Sequence, residues 1–297
     1  MLEGLYFWKT KNGTTSAVRI VTFLFVIVLL LCSVGVCYWY YFIKLPADEQ
    51  LAQQQAAQKI RSEIASVNAW YEKSLDGVNI NFGIRILNEI HRSLVPLEMI
   101  NFSAKTVGYV CTTKSCNIDF ERDTDSIMTQ PEMTFFGKKY TPSFPMQKGK
   151  AKTDVTSLEY NNMLINDPKN DLLKDYKKGK SLALHSCNEI ISYIKTYNST
   201  LEKEEIESKG EGISFKTLPK SSVIDLEKRL AGRIKSYDML SADWSMEVTG
   251  TSSIDGTGEI LLQVLLYKQA YRDAFLIRKI ETIKNGIKVS GGLVCKA

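Results

Sequence analysis

Six cysteines and two histidines are the side chains of this 297-residue chain best suited to chemistry. Thiolates and imidazoles hold zinc when three or four stand at fitting spacing. His91 sits alone beside Arg92, and His185 precedes Cys187 as His-x-Cys. Cys111, Cys116 and His185 come nearest to a ligand set, but a disulfide accounts for the cysteine pair more simply. We therefore expect no metal site. A serine hydrolase needs its nucleophile in a defined turn such as Gly-x-Ser-x-Gly, and none is present. Gly291-Gly292 is too little to cradle phosphate and reads as a turn or bulge. Asp255-Gly256-Thr257-Gly258 lacks the remaining acidic ligands of a calcium loop. The carboxylates from Glu202 to Glu207 read as a solvated helix end. The expectation is a protein with no catalytic residues and no cofactor. Its net charge of +5 is mild, and Lys177, Lys178 and Lys180 form its densest basic group. That is a solvated loop rather than a nucleic-acid footprint. Asn101-Phe102-Ser103 and Asn198-Ser199-Thr200 match the glycosylation sequon, a pattern common by chance.

The elements that would hold these residues begin with an apolar run. Ile20–Ile43 is 24 residues without a charge, and 15 of them are Leu, Ile, Val or Phe. A span of about 20 apolar residues crosses a bilayer. At about −0.3 to −0.6 kcal/mol each, these side chains favour insertion by roughly 5–9 kcal/mol at most. Tyr38, Trp39, Tyr40 and Tyr41 close the run as an aromatic belt. Lys9, Lys11 and Arg19 precede it against Glu3, while Lys44 is followed by Asp48 and Glu49. This bias keeps the N-terminus in the cytoplasm and puts the rest outside. A cleaved signal peptide has a shorter core and a small-residue cleavage site, neither of which is seen. Neither Cys32 nor Cys37 follows a small residue, as a lipoprotein cysteine would.

Cys32 and Cys37 fall inside the apolar run, leaving Cys111, Cys116, Cys187 and Cys295. An even number in an oxidising compartment suggests bridges. Cys111 and Cys116 can pair across a tight loop, worth roughly 2 kcal/mol in the chain-entropy model. Cys187–Cys295 is the remaining intrachain pairing, and the sequence does not show that the two meet.

The predicted order runs as a tail at 1–19, a membrane helix at 20–43 and a helical stalk at 47–76. In the stalk Ile60, Ile64, Val67 and Tyr71 recur at intervals of four, three and four. That is a coiled-coil rhythm, which implies a homo- or hetero-dimer through this seam. The plainer alternative is a stalk packed on its own domain. Residues 80–123 read as a helix along Ile84, Leu87, Ile90 and Leu94, ended by Pro96, and then a hairpin stapled by Cys111 and Cys116. Ile118 and Phe120 share one face of its second strand, Asp119 and Glu121 the other. Residues 124–180, which hold Pro131, Pro142, Pro145 and Pro168, read as an irregular excursion. Residues 181–297 open with a helix along Ile190, Ile191, Ile194, Tyr197 and Leu201. A strand–helix–strand–strand–helix–strand unit then follows, with Ile260–Tyr267 as a central strand and Ala270–Thr282 as a helix. That order is ferredoxin-like, so the fold class is α+β.

The stretch from Leu94-Val95-Pro96 through the Cys111–Cys116 hairpin to Arg122 resembles the PilO-like inner-membrane accessory proteins of bacterial type IVb pilus systems. The Trp244 strand and the closing Gly292-Leu293-Val294-Cys295 are similar too. The excursion at 124–180 and the short tail depart from that pattern. The resemblance implies a single-pass protein of the bacterial inner membrane, with its N-terminus cytoplasmic and a ferredoxin-like domain periplasmic. It implies inner-membrane lipid and other pilus-assembly membrane proteins as partners, and a scaffolding role toward the outer membrane. A periplasmic component of a type IV secretion channel, or a tethered binding module, shares the same topology.

Overall fold

The computed structural model describes residues 16–100, 104–122, 132–145, 157–203, 212–249, 257–284 and 286–297. The tail through residue 15, the first sequon at 101–103 and the Asp255 turn thus lie outside the described residues. The chain forms two compact units, Met1–Glu63 and Ile64–Ala297.

Helical backbone runs without a break from α1 (Ser16–Trp39) through a π-helical turn (Tyr40–Lys44) into α2 (Leu45–Ser74). Pro46 has no N–H to offer the carbonyl four residues back. The register widens just before it, with the Leu45 N–H donating to the Tyr40 carbonyl. Among the described residues, Val21–Ser74 is the one helix apolar and long enough to cross a membrane, and a signal sequence would pass the same test.

The second unit is an antiparallel sheet with helices. After β1 (Val78–Asn79) comes α3 (Ile80–Ile100), whose buried Phe82, Ile86, Leu87, Ile90 and Leu94 form one apolar stripe. Pro96 lies inside α3 and does not end it. It stands on the exposed side, and the helix runs on past it to Ile100. The hairpin β2 (Ala104–Thr112) and β3 (Ser115–Arg122) follows. Ile118 and Phe120 are buried while Asp119 and Glu121 are exposed, as alternation demands.

The described parts of 124–180 are more regular than its prolines suggest. It holds a small hairpin of β4 (Met133–Phe135) and β5 (Lys138–Tyr140), then β6 (Ser157–Leu164) and α4 (Asp171–Lys177). β6 pairs with β3 and extends the main sheet. Its buried Leu158, Tyr160 and Met163 are too few and too interrupted for periodicity to reveal a strand. Then come α5 (Cys187–Lys203), β7 (Ile213–Phe215), α6 (Ile224–Arg229), β8 (Met239–Thr249), α7 (Thr257–Tyr267), β9 (Phe275–Ile283) and β10 (Gly286–Lys296). The strands order as β6-β3-β2-β9-β10-β8-β7, with β1 also on β9.

Two elements of the last segment exchange their expected types. Residues 260–267 are helical, because Leu262 and Leu266 face the core four residues apart while Ile260, Val264 and Tyr267 face out. Residues 275–283 are a strand, with Phe275, Ile277 and Ile280 in the core and β10 paired alongside. Short apolar runs fit either period. β10 carries a bulge at Ser290/Gly291. A Cβ on Gly291 would lie 1.7 Å from the Leu276 carbonyl oxygen, so only glycine fits there.

The main core gathers α3, α5, α7 and one face of the sheet. Leu276 and Val294 alternate with the core residues Ile277 and Leu293 and so point to the other face. Val67, Tyr71, Leu75, Val223, Leu230 and Met239 are also buried, outside that core cluster.

Candidate functional site: disulfides, stalk junction and exposed faces

The four cysteines beyond the apolar helix form two buried bridges. Cys111 and Cys116 face each other in register on β2 and β3, with Cα atoms 4.0 Å apart. Cys187 opens α5 and joins Cys295 near the end of β10 across 108 residues of chain, Cα to Cα 5.0 Å. The first pair follows from a two-residue turn. The second is made by the packing of α5 on the sheet and by nothing local. Two disulfides point to an oxidising, extracytoplasmic setting for this unit. Cys32 and Cys37 are exposed free thiols on α1.

Among the described residues no three His, Cys, Asp or Glu side chains gather as a metal site. Cys111 and Cys116, two of the three groups weighed for zinc, are spent on each other. The His185 Nε2 lies 2.9 Å from the Asp273 carboxylate, and its ring meets Tyr271 edge-on. A cleft of about 430 Å³ opens nearby, lined in part by Asn79, Asn170, Asp171, Asp175, Arg272 and Asp273. Five of these six side chains are already employed. Asn79 and Asn170 cap α3 and α4 by accepting from the N–H groups of Phe82 and Leu173. Asp171 accepts from Asn79, Asp175 pairs with Lys180, and Asp273 holds His185.

The stalk residues divide. Ile60 and Ile64 are partly exposed, but Val67 and Tyr71 are each 1% exposed. Those two are corrected: they serve the domain rather than a partner. From Ile64 onward α2 belongs to the domain unit, so the plainer alternative holds for the lower half of the seam. The Tyr71 hydroxyl donates to buried Glu227 and accepts from the Tyr237 N–H at 3.1 Å. Ser236 Oγ donates to the same carboxylate oxygen at 3.2 Å. Tyr176 and Tyr237 pack their rings against Tyr71. Burial first, then the Glu227 hydrogen bond, hold the Tyr71 hydroxyl well above the usual tyrosine range.

Arg278 closes the end of α2. Its Nη2 donates to the Lys73 and Ser74 carbonyls at 3.1 Å each, its Nε to Asp76 at 2.9 Å, and its Nη1 to the Asp243 carboxylate at 2.8 Å. The Lys73 and Ser74 carbonyls are among the acceptors a helix C-terminus leaves without intrahelical partners, and a planar guanidinium fork suits them. Asn170 adds bonds to Leu75 and Gly77. Tyr71, Glu227, Asn170 and Arg278 lie far apart in the chain, and no local pattern marks them as one cluster.

Tyr109 donates at 2.9 Å to Glu259, which is 1% exposed, and burial followed by this carboxylate raises the Tyr109 pKa. Burial alone pushes Tyr160 up to about 12. Asn198, the second sequon asparagine, is committed to the fold. Its amide donates to the Ile213 carbonyl at 2.8 Å and accepts from the Ile213 N–H at 2.9 Å, closing the outer edge of β7. No family model, curated protein or solved structure matches this chain.

Proposed function

We propose that this chain is a bitopic inner-membrane scaffold of type IV pilus biogenesis, without catalysis or cofactor. It would work by protein–protein contacts that link the inner-membrane assembly platform to periplasmic and outer-membrane components. The observation that carries the reading is the unbroken helix from Ser16 to Ser74, whose last turns are tied into a two-disulfide α+β domain. That arrangement supports the reading of a membrane anchor continued into an extracytoplasmic domain. In this reading α1 is an uncleaved span, the N-terminus is cytoplasmic, and the domain is periplasmic. Cysteine placement supports this, because the bridged residues all lie beyond α1 and the free ones within it.

The domain topology supports a ferredoxin-like ancestry in permuted form. With the six-residue α6 set aside, taking α5, β7, β8, α7, β9 and β10 in chain order gives α-β-β-α-β-β. Moving the leading α-β pair to the end restores β-α-β-β-α-β. Stalk pairing, with itself or with another assembly protein, rests on Ile60 and Ile64 once Val67 and Tyr71 are assigned to the domain.

The test joins topology to phenotype. External protease on spheroplasts should leave a small membrane-protected fragment, and deletion of the gene should abolish surface pili while pilin is still made. Cysteines placed at positions 60 and 64 should crosslink to a neighbouring helix, and those at 58 and 62 should not. Normal piliation in the deletion strain, or a domain protected from external protease, would remove this reading. A defect confined to conjugative transfer would redirect it to a secretion channel.

A further inference from the structure

Helix α7 is apolar on both sides, and among the described residues only one side is packed within the domain. Leu262 and Leu266 are buried in the core, with Leu261 and Leu265 packed against it. On the opposite side Ile260, Val264 and Tyr267 recur at intervals of four and three and are 50%, 42% and 65% exposed. The other helices of this layer behave differently. α5 turns Asn188, Glu189, Ser192, Lys195 and Thr196 outward, and α3 turns out Asn81, Arg85, Asn88 and Arg92. Three neighbouring apolar side chains on a helix surface form the kind of stripe that another helix covers.

The charge around the stripe says which kind of helix. The Arg272 guanidinium lies 4.9 Å over the Tyr267 ring, and exposed Lys268 follows Tyr267 directly. The two described carboxylates of the same stretch each have a hydrogen-bond partner inside the domain. Glu259 is buried against Tyr109, and Asp273 holds His185. The side chains bordering Tyr267 are therefore cationic, exposed Lys268 and half-buried Arg272, with the arginine stacked on the aromatic anchor. Self-pairing of this face is disfavoured by the same charges. A parallel pair would set Lys268 and Arg272 against their own copies. An antiparallel pair would set them against the N-terminal, positive end of the other α7.

We propose that the outer face of α7 docks an acidic amphipathic helix of a separate partner protein. That helix lays apolar residues over Ile260, Val264 and Tyr267 and presents a carboxylate to Arg272 and Lys268. This contact is distinct from stalk pairing and holds whichever assembly the chain serves.

The test places a photo-crosslinking amino acid at Val264 in the full-length protein, in native membranes, and maps the adduct by mass spectrometry. The expected result is an adduct to another polypeptide at an amphipathic, acid-rich segment. Its yield should fall at least about tenfold in Tyr267→Ala or Arg272→Glu, the loss expected for an interface anchor, and stay unchanged in Asn188→Ala. Reversing the mapped carboxylate to lysine should restore the adduct against Arg272→Glu. Thiol labelling that finds both disulfides intact certifies that each variant has folded. An adduct only to a second copy, only to lipid or to a segment without acidic residues overturns the proposal, as does no adduct at all.

Discussion

Tyr71→Phe isolates what joins the stalk to the domain. The change keeps a ring that is 1% exposed and packed on Tyr176 and Tyr237, and removes one hydroxyl. That hydroxyl makes two bonds, a donation to Glu227 and an acceptance from the Tyr237 N–H. Glu227 is 7% exposed and retains Ser236 as a donor, so its carboxylate is left short rather than bare. A hydrogen bond to a charged group contributes about 1.5–3 kcal/mol and one between neutral groups about 0.5–1.5, so the loss should be about 2–4.5 kcal/mol. Urea unfolding of the detergent-solubilised protein, followed by near-ultraviolet circular dichroism, measures it. A second arm separates the bond from the packing. In a Glu227→Gln background the acceptor is neutral, and the cost of Tyr71→Phe should shrink by about 1 kcal/mol. Because its pKa is raised, the hydroxyl stays a donor beyond roughly pH 10, the ordinary tyrosine value, so the cost should not change between pH 6 and 9. A loss below about 0.5 kcal/mol, or strict additivity with Glu227→Gln, would refute the idea that this bond anchors α2.

Asp119 stands across the strand pair from Glu159, and burial, then that like charge, raises its pKa. The native state binds this proton more tightly than the unfolded chain, so ionisation above the raised pKa costs stability. Asp119→Asn should therefore stabilise the domain at pH 7 by a few tenths of a kcal/mol, since solvent screens the pair, and do nothing below about pH 3. Paired thermal melts at the two pH values check this. Gly291→Ala sets a Cβ 1.7 Å from the Leu276 carbonyl oxygen and should cost more than about 3 kcal/mol. Gly179→Ala, with φ +67° but nothing within 4 Å, should cost about 1 kcal/mol in the same unfolding assay. Removing Cys187–Cys295 by double alanine substitution should cost about 4–5 kcal/mol, because it frees a loop 108 residues long, against about 2 for the short Cys111–Cys116 loop. Denaturation midpoints of the two double variants rank them.

How far the sequence could be read followed the range of the forces involved. The Cys111–Cys116 hairpin was legible because strand alternation, a two-residue turn and facing cysteines all act within a dozen residues. The helix at 187–203 was legible from its repeating isoleucines. Residues 260–267 and 275–283 were read with their types exchanged, because segments of eight or nine residues are too short for their apolar positions to separate one period from the other. What arbitrates is the neighbour, here β10 pairing along β9. β6 was missed because an edge strand needs only three buried side chains, and these were scattered between prolines and asparagines. Of the surfaces considered as sites, the Ile60–Tyr71 seam was visible as a rhythm. Its division between a domain-facing and an exposed half was not. The apolar outer face of α7 was hidden by the strand assignment.

By itself the sequence determined an apolar N-terminal helix able to enter a membrane, its helical continuation, and the cysteines available to bridge. Each depends on composition or on contacts a few residues long. The tertiary structure decided that Cys187 meets Cys295, that Tyr71 turns inward to Glu227, that Arg278 caps α2 from some 200 residues away, and that Ile260, Val264 and Tyr267 stay uncovered. Periodicity reports that a face is apolar. What covers it is set by chain segments far away in sequence, and only the packed fold brings them together.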